Sequence, residues 1–332
     1  MASAPFAPTI HGGRLSEARA AFPHAPAPWL DLSTGISPWS WLGSRAGRAD
    51  LRRLPDPADL RNLERAAAAA FGVTDARRVI ATAGAEAGIA LLTATLDLKV
   101  IDIVSPTYGG HASAWAAAGA SVRAIAAADV ASRVAGLVIV NPNNPDGRIL
   151  SRAQVLAVAQ QRRGWTIVDE AFGDTEPRSS VVDSEADRLV VLRSFGKFYG
   201  LAGARLGFVV APLDLAVQLR ARLGEWPVGA DAIALGTGAY ADLEWQARQR
   251  RRLGLASRRL DKLLTAHGFE IVGGTSLFTL TASADAPARF LRLCERGVLT
   301  RPFAHDARWL RFGLPDPNVW TRLEAALSEA AR

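Results

Sequence analysis

Six short apolar runs, separated by stretches of helical pattern, constrain this chain more than any other feature. They are Val79–Thr82, Val100–Val104, Leu137–Val140, Thr166–Val168, Leu189–Leu192 and Phe208–Ala211. Runs of that length suit strands, and strands alternating with helices build a mainly parallel sheet covered by helices on both faces, an α/β fold. The Ala-rich stretch Leu60–Phe71 before the first run has helical spacing and is closed by Gly72. From Asp214 the texture changes. Helical pattern covers 231–256 and 257–267, and strand-like Glu270–Val272 and Leu277–Leu280 follow. A helix near 289–296, a strand at Trp309–Phe312 and an amphipathic helix over 320–331 complete a small α+β domain. Residues 1–50 are rich in Pro, Gly and Trp and read as an arm lying on other structure. The expected organisation is an arm (1–50), a large domain (51–213), and an interdomain helix with a small C-terminal domain (214–332).

At 332 residues the chain exceeds one compact core. Its formal charge of +7 and pI near 10.4 raise nucleic acid as a partner. The arginines, however, are spread along the chain, and the densest group, Arg248–Arg252 with Arg258 and Arg259, lies in a helical pattern. That is a solvated helix face which also attracts anionic substrates, so no nucleic-acid partner is expected. Cys294 is the only cysteine, which excludes an internal disulfide and fits a reducing compartment. No uncharged apolar run reaches the ~20 residues that span a bilayer, and residues 1–8 lack the pattern of a secretory signal. A soluble, cytoplasmic protein is expected. No glycine-rich dinucleotide fingerprint follows the first strand, which argues against a nicotinamide enzyme. His24, His111, His267 and His305 show no metal spacing, so no metal is expected and none of them is given a role.

Ligands of open parallel sheets collect beyond the carboxyl ends of the strands. Gly84-Ala85-Glu86 opens a helix there, offering backbone N–H groups to an anion; Glu86 alternatively serves only as a favourable first-turn acid. Tyr108 follows the second run, as a ligand contact or as packing. Asn141-Pro142-Asn143-Asn144-Pro145-Asp146-Gly147 follows the third, with the composition of a plain turn. Asp169-Glu170 follows the fourth; continued strand alternation turns Glu170 away from the face Asp169 uses. After the fifth run come Ser194, Lys197 and Arg205. A lysine in apolar surroundings can lose its proton and attack a carbonyl carbon. Ser194 and Arg205 are donors suited to a phosphate. An amine for an aldehyde, with donors for a phosphate, is what pyridoxal 5′-phosphate needs. The competing reading is an ordinary loop lysine and a surface arginine.

The stretch Ser194–Phe208 resembles the cofactor-lysine segment of fold-type I pyridoxal-phosphate enzymes, the aspartate aminotransferase superfamily with its class I/II aminotransferases. In that family the Ser three before the Lys and the Arg eight after it bind cofactor phosphate, and both spacings hold here. The resemblance implies an aspartate aminotransferase-like large domain and a set of roles. Lys197 tethers the cofactor and later moves a proton. Asp169 faces the pyridine nitrogen and keeps it protonated. The backbone of Gly84, Ala85 and Glu86 joins Ser194 and Arg205 at the phosphate, and Tyr108 stacks on the ring. Asn144 donates to the ring oxygen and touches substrate carboxylate, and Arg311 clamps that carboxylate. Phe172 stands where many relatives carry a Tyr hydrogen-bonded to the ring oxygen, as it does in several decarboxylases of the family.

Three further details narrow the resemblance: His11-Gly12-Gly13 with Leu30–Pro38 in the arm, Leu54-Pro55-Asp56-Pro57, and Asp169-Glu170-Ala171-Phe172. Together they resemble the threonine-phosphate decarboxylase family of cobalamin biosynthesis and, less closely, the histidinol-phosphate aminotransferases. The first implies a homodimer that decarboxylates L-threonine O-phosphate to (R)-1-amino-2-propanol O-phosphate; the second, a histidinol-phosphate-type aminotransferase, is the alternative. His11, Gly12, Ser33, Thr34 and Arg301 are candidates for the substrate phosphate. Leu54 replaces a Tyr that in relatives reaches the partner subunit's cofactor phosphate, and Ser37 replaces the arm's usual second Asn. A silent binding protein on the same fold is disfavoured by the intact set Lys197, Asp169 and Arg205.

Overall fold

A computed structural model describes residues 12–41, 49–127 and 136–330, so the candidate His11 lies outside the described residues. In chain order the strands are β1 (Leu30–Asp31), β2 (Val79–Thr82), β3 (Val100–Val104), β4 (Ser121–Ile125), β5 (Gly136–Val140), β6 (Trp165–Glu170) and β7 (Leu189–Ser194). They continue with β8 (Gly207–Val210), β9 (Glu270–Thr275), β10 (Phe278–Ala282), β11 (Val298–Leu299), β12 (Arg301–Pro302) and β13 (Trp309–Gly313). The chain divides into two compact units. One holds the chain up to Trp39, Pro145–Gly147 and everything from Gln249 onward; the other holds Ser40–Asn144 and Arg148–Arg248.

The larger unit is built on a seven-stranded sheet in the order β2-β8-β7-β6-β5-β3-β4. All six apolar runs of the sequence are strands of this sheet. Strands β3 to β7 pair in parallel, and β8 runs antiparallel to both β7 and β2. A parallel return needs a long, usually helical crossover. The connection from Ser194 to Gly207 holds only the short turns Phe195–Phe198 and Ala202–Ala204, so the chain comes back reversed. The outermost strand, β4, was not expected from the sequence; it alternates toward solvent, and its Arg123 pairs in register with Asp102 of β3. Arg123 Nε and Nη2 donate to the two Asp102 carboxylate oxygens at 2.7 and 3.1 Å, over a fully buried Asp102.

Helix Pro57–Phe71 shows why the Ala-rich stretch folds as it does. Asp56 caps Ala58 N–H at 2.7 Å, Pro57 occupies the first turn, and Gly72 closes the helix at φ 75°. Its buried residues Leu63, Ala67 and Phe71 recur every four positions, one face turned to the core. Helices Leu213–Leu223 and Ala230–Ala241 belong to this unit rather than to a separate C-terminal one. Leu215, Ala216 and Leu219 join the core formed with Ile80, Val190 and Val209, and Tyr240 meets Phe71 edge-on at 5.2 Å. The border expected at 213/214 marks where the sheet ends in sequence; the compact unit continues to Arg248 because these helices bury apolar faces on it.

The smaller unit has an antiparallel sheet in the order β12-β13-β10-β9 and a separate parallel pair, β1 with β11. The arm's β1 thus lies on its own unit's chain, and Arg322 donates to the carbonyls of Pro26 and Pro28 beside it. Helices Ala286–Glu295 and Trp320–Ala330 each bury one apolar face. No helix among the described residues is long and apolar enough to cross a membrane.

Candidate functional site

The larger unit gathers most of the chemical candidates at the carboxyl ends of β2, β5, β6 and β7. Lys197 sits in the short helix Phe195–Phe198, half-buried between the fully buried Phe195 and Phe198. That helix rests on an aromatic cluster: Phe195 stacks on Tyr199 at 4.7 Å, and Tyr199 stacks on Trp245 at 5.6 Å. The apolar bed fixes the backbone and leaves Lys197 on the opposite side, with Nζ 4.7 Å from the centre of the Phe172 ring.

Asp169 is 3% exposed and accepts from Ala171 N–H at 2.8 Å. Its other oxygen lies 2.9 Å from His111 Nε2. Burial opposes ionisation of Asp169, but the His111 hydrogen bond, the charges of His111 and Lys197, and the Ala171 N–H outweigh it. The carboxyl is therefore held below its usual range. A folded-state pKa below the unfolded value of about 3.9 means that ionised Asp169 stabilises the unit above that pH, and that this contribution disappears as pH falls through the lowered value. Asp169→Asn should accordingly lose stability at pH 7 and show a flatter acid limb in a plot of urea midpoint against pH.

Glu170 takes the other face, as strand alternation requires. It accepts from Val181 N–H at 2.7 Å and from Ser180 Oγ at 2.5 Å, and pairs with Arg193 at 3.0 Å. Arg193 also pairs with Asp174, and its guanidinium lies over the Phe71 ring. Burial works against the Arg193 charge, but the carboxylates of Asp174 and Glu170 prevail and keep it protonated. This buried cluster bolts the end of β6 to the end of β7, one residue away from Asp169 and one from Ser194.

A second group converges where β8 meets the start of helix Ala85–Leu96. The cap residue Gly84 has φ 91° and no side-chain cap, so the first N–H groups of the helix are not taken by a capping side chain. A Cβ on Gly84 would lie 2.7 Å from Arg205 Nη2, which places that guanidinium directly over the glycine. Gly207, opposite Ser194 in the β7–β8 register, passes so close to Gly84 and Ala85 that a Cβ there would sit 2.5 Å from Ala85 N. The four positions Gly84, Ala85, Ser194 and Arg205 therefore form one backbone-lined cradle. The Asn141–Gly147 segment is more than a turn. Asn141 exchanges two hydrogen bonds with Leu150, and the buried Asn143 bonds Thr107 Oγ1, Pro106 O and Arg148 O. These bonds hold Asn144 and Tyr108 on ordered backbone.

In the smaller unit, Arg301 and Arg311 are opposite one another in the β12–β13 register, 7% and 6% exposed. Burial, reinforced by the Arg301 charge, pushes Arg311 down to about 9. Arg311 Nη2 donates to Ser33 O at 2.9 Å, and Gly12 packs directly on the Ser33 carbonyl. Gly12, Ser33, Thr34, Arg301 and Arg311 are thus brought together. The Ser33 hydroxyl is already committed: it donates to Asp31 at 2.5 Å and accepts from Gly13 N–H at 2.8 Å. Two paired, buried arginines favour a ligand with more than one negative charge.

Sequence reasoning gave His111 no role, yet it is fully buried against Asp169. The available signal was its place three residues after Tyr108, on the same face of helix Gly109–Ala117. The donor set fits pyridoxal phosphate: an amine beside apolar rings, a buried carboxylate held ionised, and a cradle of uncapped N–H groups under an arginine.

The profile of the aminotransferase class I and II family matches residues 45–327, and the chain belongs to that family. A threonine-phosphate decarboxylase of Pseudomonas aeruginosa is 43% identical over 325 residues, 96% of each chain. Another, from Sinorhizobium sp, is 40% identical over 333 residues, covering 97% of this chain and 98% of that one. A solved histidinol-phosphate aminotransferase from Sinorhizobium meliloti, in complex with pyridoxal 5′-phosphate, superposes with a TM-score of 0.85 over 99% of this chain and 96% of that one. At 19% identity it shows the shared fold.

Proposed function

We infer that this protein is a pyridoxal-phosphate-dependent decarboxylase acting on L-threonine O-phosphate, yielding (R)-1-amino-2-propanol O-phosphate for cobalamin biosynthesis. The observation that carries the choice of reaction is identity of 40–43% to two threonine-phosphate decarboxylases over nearly the whole chain. The histidinol-phosphate aminotransferase structure supports the fold alone.

Pyridoxal phosphate, when bound, supplies an aldehyde that condenses with amines and a protonated ring that accepts the electron pair freed when CO₂ leaves Cα. The residues of this chain do the rest. Lys197 would hold the cofactor through its amine and would deliver a proton to substrate Cα. Asp169, kept ionised in a dry site, retains the proton on the ring nitrogen, and His111 fixes the carboxylate's orientation. Gly84, Ala85, the Glu86 backbone, Ser194 and Arg205 bind the cofactor phosphate. Tyr108 would pack against the cofactor ring and Asn144 would donate to its ring oxygen. Phe172 places an apolar ring against Lys197 Nζ and offers no hydroxyl to the cofactor ring oxygen. In the smaller unit, Arg311 takes the substrate carboxylate and Arg301 its phosphate, with Gly12 and Thr34 as further donors.

A cytoplasmic homodimer is the setting we propose. Its support is the single cysteine together with the exposed Leu51 and Leu54 beside the segment that relatives send to a partner. The test of the reaction is direct. The reconstituted protein should release CO₂ from threonine phosphate and leave the amino-alcohol phosphate. Transfer of the amino group to 2-oxoglutarate from histidinol phosphate, without CO₂ release from threonine phosphate, would replace this reading with the aminotransferase.

A further inference from the structure

We propose that Glu86 is a positioning residue that sets the plane of Tyr108, and through it the seating of the cofactor ring. This rests on the cofactor reading above. Tyr108 Oη donates to Glu86 Oε2 at 2.8 Å, joining the residue before helix Gly109–Ala117 to the first turn of helix Ala85–Leu96. The ring is fixed at two other places. His111 meets it edge-on at 6.2 Å, and it lies so close over Gly110 that a Cβ there would fall 2.7 Å from Tyr108 Cζ. Gly110 packs under the outer part of the ring and His111 meets its edge, and the hydroxyl tether to Glu86 adds a directional bond that packing alone does not supply. An aromatic side chain has two torsions, so three contacts leave the plane fully determined.

The presence of a carboxylate at this place calls for a reason. Helix Ala85–Leu96 begins where the phosphate is assigned, and a negative side chain in its first turn opposes a phosphate dianion. A carboxylate there also favours the helix through the dipole. The two roles separate on substitution. If Glu86 acts through Tyr108, Gln serves in its place because its amide oxygen accepts the same hydrogen bond. If it acts through charge on the helix, Gln fails as completely as Ala.

The experiment is a double-mutant cycle on the full-length protein titrated with pyridoxal 5′-phosphate, read by visible absorbance and by the circular dichroism that the bound cofactor acquires. Loss of a hydrogen bond to a charged acceptor corresponds to about tenfold weaker binding. Glu86→Ala and Tyr108→Phe should each weaken binding about tenfold and change the dichroism alike, and the double variant should be no worse than either single one. Glu86→Gln should bind as the parent does, or more tightly. Additive singles, a Glu86→Gln equal to Glu86→Ala, or a Glu86→Ala equal to the parent would each overturn the proposal while leaving the cofactor reading intact. A parent protein that develops no visible band would overturn both. Glu86 is exposed at a helix start, so these variants keep the fold.

Discussion

Lys197→Ala should lose threonine-phosphate decarboxylation by about 10⁴-fold or more, and with it the visible absorbance of the protein loaded with pyridoxal phosphate. The expectation follows from where the amine sits. Phe195 and Phe198 bury the turn that carries it, Phe172 presents a ring 4.7 Å from Nζ, and Asp169 feels its charge. No other lysine is placed there; the remaining two, Lys99 and Lys262, lie on other elements. Lys197→Arg is the sharper variant, since it keeps length and charge but cannot be deprotonated. It should be as inactive as Lys197→Ala while folding as the parent does. Turnover undiminished in either variant would remove Lys197 from the mechanism.

The second large effect is on stability. Arg193→Met should cost about 3–5 kcal/mol, because it leaves two buried carboxyls without their shared cation. Glu170 and Asp174 are 1% and 7% exposed, and burial already lifts the Glu170 carboxyl above its usual range against the pull of Arg193. Urea denaturation of the cofactor-free protein measures the loss. Combining Arg193→Met with Glu170→Gln and Asp174→Asn should recover most of it, since neutral groups no longer need the cation. A single variant within about 1 kcal/mol of the parent would show that the cluster does not anchor the ends of β6 and β7.

What the sequence discloses and what it hides follow from range. Ser194, Lys197 and Arg205 lie within one loop, so their spacing alone is informative, and Asp169 announces itself at a strand end. The partner of Asp169 is 58 residues away on a helix, and its spacing from Tyr108 is all that sets His111 apart from the other histidines. The pairing of Arg301 with Arg311 exists only through antiparallel register, which the sequence does not state. β4 escaped notice because Ser121 and Arg123 interrupt its apolar residues. The helical pattern over 231–256 hides a break at Asp242, whose carboxylate caps Trp245 N–H at 3.0 Å and begins a new helix. The large compact unit runs past residue 213 for a related reason. Helices packed on a sheet have the same periodicity as helices that leave it.

The outer rim of the sheet has a bearing on how the protein behaves in concentrated solution. β4 is the last strand on that side, and an unshielded strand there would offer its backbone to a neighbouring molecule. Arg123, locked in a two-pronged grip on Asp102, puts a fixed, charged side chain at the middle of the rim. That pair takes no part in the proposed chemistry, so the rim can be altered without altering turnover.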